Sequence, residues 1–262
     1  MDMANSGFVT INGAQLHYRI VGPQDTPLII TLHGGRGFGD HHSDFKAYSP
    51  LGDVYRVLSF DFRGHGQSSM TEPFTFRQLV DDIDGMRQHF AGKDIAVIII
   101  GGSFGGYLAQ QYAIEYASCV SHLVLRGTAP SWHRKPLKTP TPSSSLIGQD
   151  EAEALKTLEM RLPRAPCASK DMLVDGVFGA FEDDCEFQLV MFALGPLYTE
   201  SYDANASLKR NRETVFHAKT HNDLYSEKEK YFDYRPRLKE VTAQTLIVVG
   251  EKDWICPPGN VR

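Results

Sequence analysis

The sequence predicts an α/β fold, a doubly wound and mostly parallel sheet interrupted by a helical insertion. Short apolar runs alternate with amphipathic stretches through the first half of the chain. One run, Ile95 to Ile100, has no polar residue at all, as expected of a strand buried on both faces inside a parallel sheet. Strand patterning then stops, gives way to helical periodicity from about residue 149 to 230, and returns at Thr245 to Val249.

Each element has its own signal. Phe8 to Ile11 and Leu16 to Ile20 flank Asn12-Gly13, which reads as a β-hairpin. The run Pro27 to Leu32 ends in the glycine-rich His33-Gly34-Gly35-Arg36-Gly37, and Tyr55 to Phe60 ends at Asp61-Phe62-Arg63-Gly64-His65-Gly66-Gln67-Ser68. Phe76, Leu79, Ile83 and Met86 recur at helical spacing within residues 75–91. A helix over about 104–117 carries the small residues Ala109, Ala113 and Ala117 on one stripe, and Leu123-Val124-Leu125 is a further strand. Pro130, Pro136, Pro140, Pro142 and three consecutive serines mark 129–145 as a linker. The expected organisation is a core over 1–128, a helical cap with its linker over 129–230, and the rest of the core over 231–262.

Composition narrows the function. With 262 residues and 42% apolar content the chain can bury a large core. A net charge of −5 gives no electrostatic case for nucleic acid or anionic membrane as a partner. No apolar run approaches the ~18 residues of a membrane span, and the start, MDMANSGFVTINGAQ, lacks a signal-peptide pattern, so the expected location is the cytoplasm. The four cysteines, Cys119, Cys167, Cys185 and Cys256, are widely spaced and read as reduced thiols; no metal or cofactor motif is read.

The chemistry-bearing motif is G-x-S-x-G at 101–105, set between the buried run and a helix. Its glycines make room for a sharp strand-to-helix turn that presents the Ser103 hydroxyl as a nucleophile. An oxyanion needs two backbone N–H donors. Phe104, next to the serine at a helix start, is one candidate, and Gly35 in the glycine-rich loop is the other. Asp253, just past the late strand and after Gly250, is the candidate acid in the chain order Ser, then Asp, then His that goes with such a serine motif. The bland readings are an ordinary glycine-rich turn at 101–105 and a structural turn at 33–35.

His33-Gly34-Gly35, residues 61–68, Gly101 to Gly106, Leu123 to Gly127 and Gly250 to Asp253 occur together in an order similar to that of α/β hydrolases, and most closely resemble the proline iminopeptidase branch. The resemblance covers about 1–128 and 231–256. It implies acyl-enzyme chemistry in which an N-terminal residue is released from a small peptide. In that family cap glutamates hold the substrate ammonium; Glu182 and Glu186 are the candidates here, although Asp183 and Asp184 make the same segment readable as a solvated helix face. Leu194 to Tyr198 carries no glutamate where the family pattern has one. The resemblance also assigns Asp61, Arg63 and His65 a loop-shaping role. The family's base histidine follows the acid after one more strand, whereas the last histidine here is His221 and the sequence ends at Arg262. The expectation is a C-terminally truncated chain missing the last strand and helix, with Thr245 to Val249 left as a bare sheet edge. His217 and His221 are read as polar cap or surface histidines. The alternatives are an esterase or lactonase acting on a small-molecule ester, and a catalytically dead hydrolase-fold binding protein.

Overall fold

Strand pairing begins with the Asn12-Gly13 turn. Both residues adopt left-handed φ values, 48° and 80°, the combination whose twist matches a two-residue hairpin. The structure, a computed structural model, describes residues 5–132, 159–169 and 171–258. The hairpin joins β1 (Asn5–Ile11) to β2 (Ala14–Val21). The other strands among the described residues are β3 (Leu28–Leu32), β4 (Arg56–Phe60), β5 (Val97–Gly102), β6 (Val120–Arg126) and β7 (Gln244–Val248). Their order in the sheet is β1-β2-β4-β3-β5-β6-β7. β2 runs antiparallel to β4, and every pairing from β4 to β7 is parallel.

That order places the site. The chain leaves β3 to form β4 on one side, then crosses back to form β5 on the other. The loops after β3 and β5 therefore diverge at their carboxyl ends, and a crevice opens there. All five residues of β3 are buried, and Thr31 satisfies its hydroxyl on Ser59 of β4 at 2.6 Å. The apolar run before β5 is slightly shorter as a strand than its sequence suggests, because Ile95 lies outside it and is 52% exposed.

Helices cover the sheet. α1 (His42–Tyr48), which no periodicity announced, contributes one buried apolar side chain, Phe45. α2 (Phe76–Ala91) starts at Thr75, whose hydroxyl accepts the Gln78 N–H, and buries the predicted Phe76, Leu79, Ile83 and Met86. α3 (Phe104–Glu115) buries Ala109 and Ala113, while Ala117 falls in the 3₁₀ turn that follows. Past the insertion point come α4 (Asp184–Leu194), α5 (Ala204–Glu213), α6 (Ala218–Leu224) and the single turn α7 (Glu227–Lys230). Among the described residues from 159 to 230 there is no strand. From residue 133 to 145 the expected linker lies outside the described residues.

A second apolar cluster, including Val177, Phe181, Phe187, Leu197 and Phe216, also contains Trp254 and receives Phe38 from the loop after β3. The helical layer is thus docked over the crevice. β7 stands at the sheet edge among the described strands, with Leu246, Ile247 and Val248 all exposed. The four cysteines are free.

Candidate active site

Ser103 sits between β5 and α3 with φ 51° and ψ −117°, a conformation that costs a non-glycine residue strain and must be held by its surroundings. Its N–H donates to Arg126 O at 3.0 Å, and its carbonyl accepts the Thr128 hydroxyl at 2.9 Å. α3 approaches β3 so closely that a Cβ on Gly105 would stand 2.1 Å from Leu32 O, so the turn requires glycine there. The Ser103 side chain is left exposed on the crevice side.

The loop after β3 passes directly beside it. A Cβ on Gly34 would lie 3.3 Å from Ser103 Cβ and 3.9 Å from its Oγ. Gly35 follows at φ 88°, and any Cβ there would meet Phe38 O at 2.3 Å. Two buried histidines fasten this loop. His33 Nε2 accepts the Phe62 N–H at 3.3 Å, and its Nδ1–H donates to Gly34 O at 2.8 Å. His65 Nε2 accepts the Gly37 N–H at 2.8 Å while its Nδ1–H donates to Arg63 O at 3.0 Å. Burial first, and the neighbouring His33 second, push His65 down to about 3, so it stays neutral. Arg63 itself is buried against Asp82 in a two-pronged ion pair, and Asp61 accepts the His41 and Gln67 N–H groups. All three residues of the turn are engaged in holding loops.

Asp253 follows β7. Its Oδ1 accepts the N–H groups of Ile255 and Cys256 at 3.0 and 2.9 Å, and its Oδ2 lies 2.9 Å from where a Cβ on Gly127 would be. Gly127 N–H donates to Val248 O, while Ser103 N–H donates to Arg126 O. The end of β6 therefore sits between the serine and the carboxylate, both at the same end of the sheet. The adjacent Trp254 donates its indole N–H to Leu197 O at 3.0 Å, joining this segment to the helical layer.

No histidine among the described residues hydrogen-bonds Ser103 or Asp253. His221 belongs to the helical layer and is not a surface histidine: its side chain is buried, its Nδ1 and Nε2 lie 3.1 and 3.2 Å from Arg36 O and Gly176 O, and burial lowers it to about 4. It bridges the loop after β3 to the helical layer. His217, half-buried, precedes α6. Glu182 and Glu186 are exposed at the start of α4. Asp183 caps that helix by accepting the Glu186 N–H at 2.8 Å, and the Glu186 carboxylate accepts the Glu182 N–H at 2.6 Å.

One residue that sequence reasoning passed over stands out. Arg36 is buried, donates to Leu224 O at 3.1 Å, and has its guanidinium 4.1 Å from the centre of the Tyr225 ring and 5.4 Å from those of Phe104 and Tyr107. It ties the loop after β3 to α3 and to the helical layer by cation–π contact. A lone arginine after His-Gly-Gly carries no spacing signal that could have announced this.

A serine at a strained strand-to-helix turn, a glycine loop beside it and a carboxylate past a later strand, on this sheet order, define an α/β hydrolase. The family model described as alpha/beta hydrolase fold matches residues 27–165, and the chain belongs to that family. It is a hydrolase similar in sequence to a proline iminopeptidase: a protein named proline iminopeptidase PfmaB, from Pestalotiopsis fici, is 63% identical over 255 residues, covering 97% of this chain and 85% of that one. A proline iminopeptidase of Arabidopsis thaliana is 36% identical over 115 residues, 43% of this chain and 29% of its own. Among solved structures, an esterase from Exiguobacterium antarcticum superposes with a TM-score of 0.68 at 18% identity, over 98% of this chain and 85% of that chain, which is a likeness of fold. No helix among the described residues is long and apolar enough to cross a membrane.

Proposed function

We propose that this hydrolase is a serine aminopeptidase that releases an N-terminal residue, proline above all, from small peptides in the cytoplasm. The observation that carries the reading is the position of Ser103, held at φ 51° with Gly34 on one side and the end of β6, backed by Asp253, on the other. In this reading Ser103 Oγ attacks the scissile carbonyl and forms an acyl-enzyme as the amine leaves. The Phe104 N–H stands at the head of α3, where helix N–H groups have no internal partner, and it shares the developing oxyanion with the Gly35 N–H. The serine proton needs a base from which it can pass to the leaving amine, and in this reading Asp253 orients that base; the given sequence has no histidine after Asp253. In this fold the base follows the acid in chain order. Water then releases the acyl group by the same route in reverse.

In this reading Glu182 and Glu186, both exposed at the start of α4, supply negative charge for the substrate ammonium. The net charge of −5 accords with small peptides rather than nucleic acid or anionic membrane as partners. The test is to label the active protein with a fluorophosphonate and locate the adduct by mass spectrometry, while comparing a proline arylamide with a short-chain aryl ester. Label on Ser103 and preferential arylamide cleavage support the reading. Label elsewhere removes Ser103 as nucleophile, and ester cleavage without arylamide cleavage removes the aminopeptidase assignment.

A further inference from the structure

We propose that His17, His41 and Asp61 form a binding site for a divalent transition-metal cation of the zinc type, separate from the hydrolytic site. The three come from different parts of the chain: His17 from β2, His41 from the segment before α1, and Asp61 from the residue after β4. The sheet brings the first and last together, because the Asp61 N–H donates to His17 O at 2.9 Å. The His41 N–H then donates to Asp61 Oδ1 at 2.9 Å and fixes the third member.

One imidazole nitrogen from each histidine and one carboxylate oxygen lie within 4.8 Å of one another. All three residues are more than nine-tenths buried, at 8%, 1% and 1% exposure. His17 Nδ1 stands 3.5 Å from Asp61 Oδ2, long for a hydrogen bond. It is close to the ~3.3 Å edge of a tetrahedron whose metal–ligand bonds are about 2.0–2.1 Å. His41 Nδ1 lies 2.7 Å from Asp61 Oδ1, and a cation bound between them would take the place of the proton they share. His17 Nδ1, the nitrogen that faces the carboxylate, has no hydrogen-bond partner although it is buried. Buried polar nitrogens are rarely left so, and one that faces a carboxylate with a second imidazole beside it marks a place that suits a cation. Two imidazoles and one carboxylate suit zinc or its first-row neighbours and not calcium or magnesium, which take oxygen donors.

Two of its members belong to β2 and to the residue after β4, on the other side of β3 from β5. A cation there would pin β2, the start of α1 and the turn after β4 to one another. Its role is therefore structural, and it does not depend on the aminopeptidase reading.

The experiment strips the protein with a chelator and titrates it with Co²⁺ as a coloured stand-in, then with Zn²⁺ by calorimetry. One equivalent per chain, visible ligand-field bands abolished by Zn²⁺, and a saturable rise in Tm are expected. His17→Gln and His41→Gln should each weaken binding at least tenfold. His41 also holds Asp61, so if His41→Gln fails to fold, His17→Gln decides, since the Nδ1 it removes makes no hydrogen bond. Wild-type protein that binds neither ion, or binding unchanged in folded His17→Gln protein, overturns the proposal. The latter result would place the metal on exposed groups such as His42, Cys167 or Cys185.

Discussion

The Nε2 of His65 accepts the N–H of Gly37 at 2.8 Å, so the turn after β4 grips the loop that runs past Ser103. That bond requires a neutral imidazole, and burial enforces it. In the unfolded chain His65 takes up a proton near 6.5; in the folded chain it does so only near 3. Its contribution to stability is complete above pH 6.5 and is lost as pH falls toward 3. The slope in between is about 1.4 kcal/mol per pH unit for a single such group. His221, lowered to about 4, adds in the same direction over a narrower window. Urea unfolding at pH 7 and pH 5 should show this loss, and a folded His65→Asn variant should show a shallower dependence. An unchanged slope would assign the effect to other groups.

Gly35→Ala tests the proposed oxyanion loop. The new methyl would meet Phe38 O at 2.3 Å with φ at 88°, so the loop must move away from its present path beside Ser103. We expect kcat to fall by a factor on the order of 10²–10³, with a smaller change in KM. Steady-state kinetics on a proline arylamide reads this directly. Unaltered kcat in a folded variant would mean that Gly35 donates nothing to the transition state.

The Arg63–Asp82 pair is a stability element. Arg63 Nε and Nη2 bond the two Asp82 oxygens at 2.5 and 2.7 Å, with both side chains 1% exposed. Asp82→Ala would leave a buried guanidinium without its partner, at a cost of about 3–5 kcal/mol. Asp82→Asn, which keeps the acceptor oxygen, should cost less. Denaturant titration ranks the two, and equal losses would show that shape rather than charge governs the site.

The exposed edge predicts association. Among the described residues β7 pairs with β6 alone, and its Leu246 and Val248 are 58% and 49% exposed. Unpaired backbone groups beside apolar side chains template pairing with another chain. Sedimentation velocity of the 262-residue chain should show concentration-dependent association, and Val248→Lys should reduce it. A single monomeric species at all concentrations would remove this expectation.

Local physics made much of the framework readable from the sequence. Asn12-Gly13 admits the left-handed turn of a hairpin, the polar-free run into Val97–Gly102 suits a strand buried on both faces, and Gly101 to Gly105 is the composition a tight strand-to-helix turn around Ser103 needs. In each case the cause lies within a few neighbouring residues, in backbone sterics or in side-chain periodicity. α1 escaped notice because its seven residues bury a single apolar side chain and draw their stability from tertiary contact. The burial of His221 and Arg36, the His65–Gly37 bond, and the meeting of His17, His41 and Asp61 had no sequence signal either. Those partners are far apart along the chain, and only the strand order β2-β4-β3-β5 and the docking of the helical layer bring them within bonding distance. Periodicity states which face of an element is apolar. It does not state which other element that face will meet, because that choice is made by the packing of the whole chain.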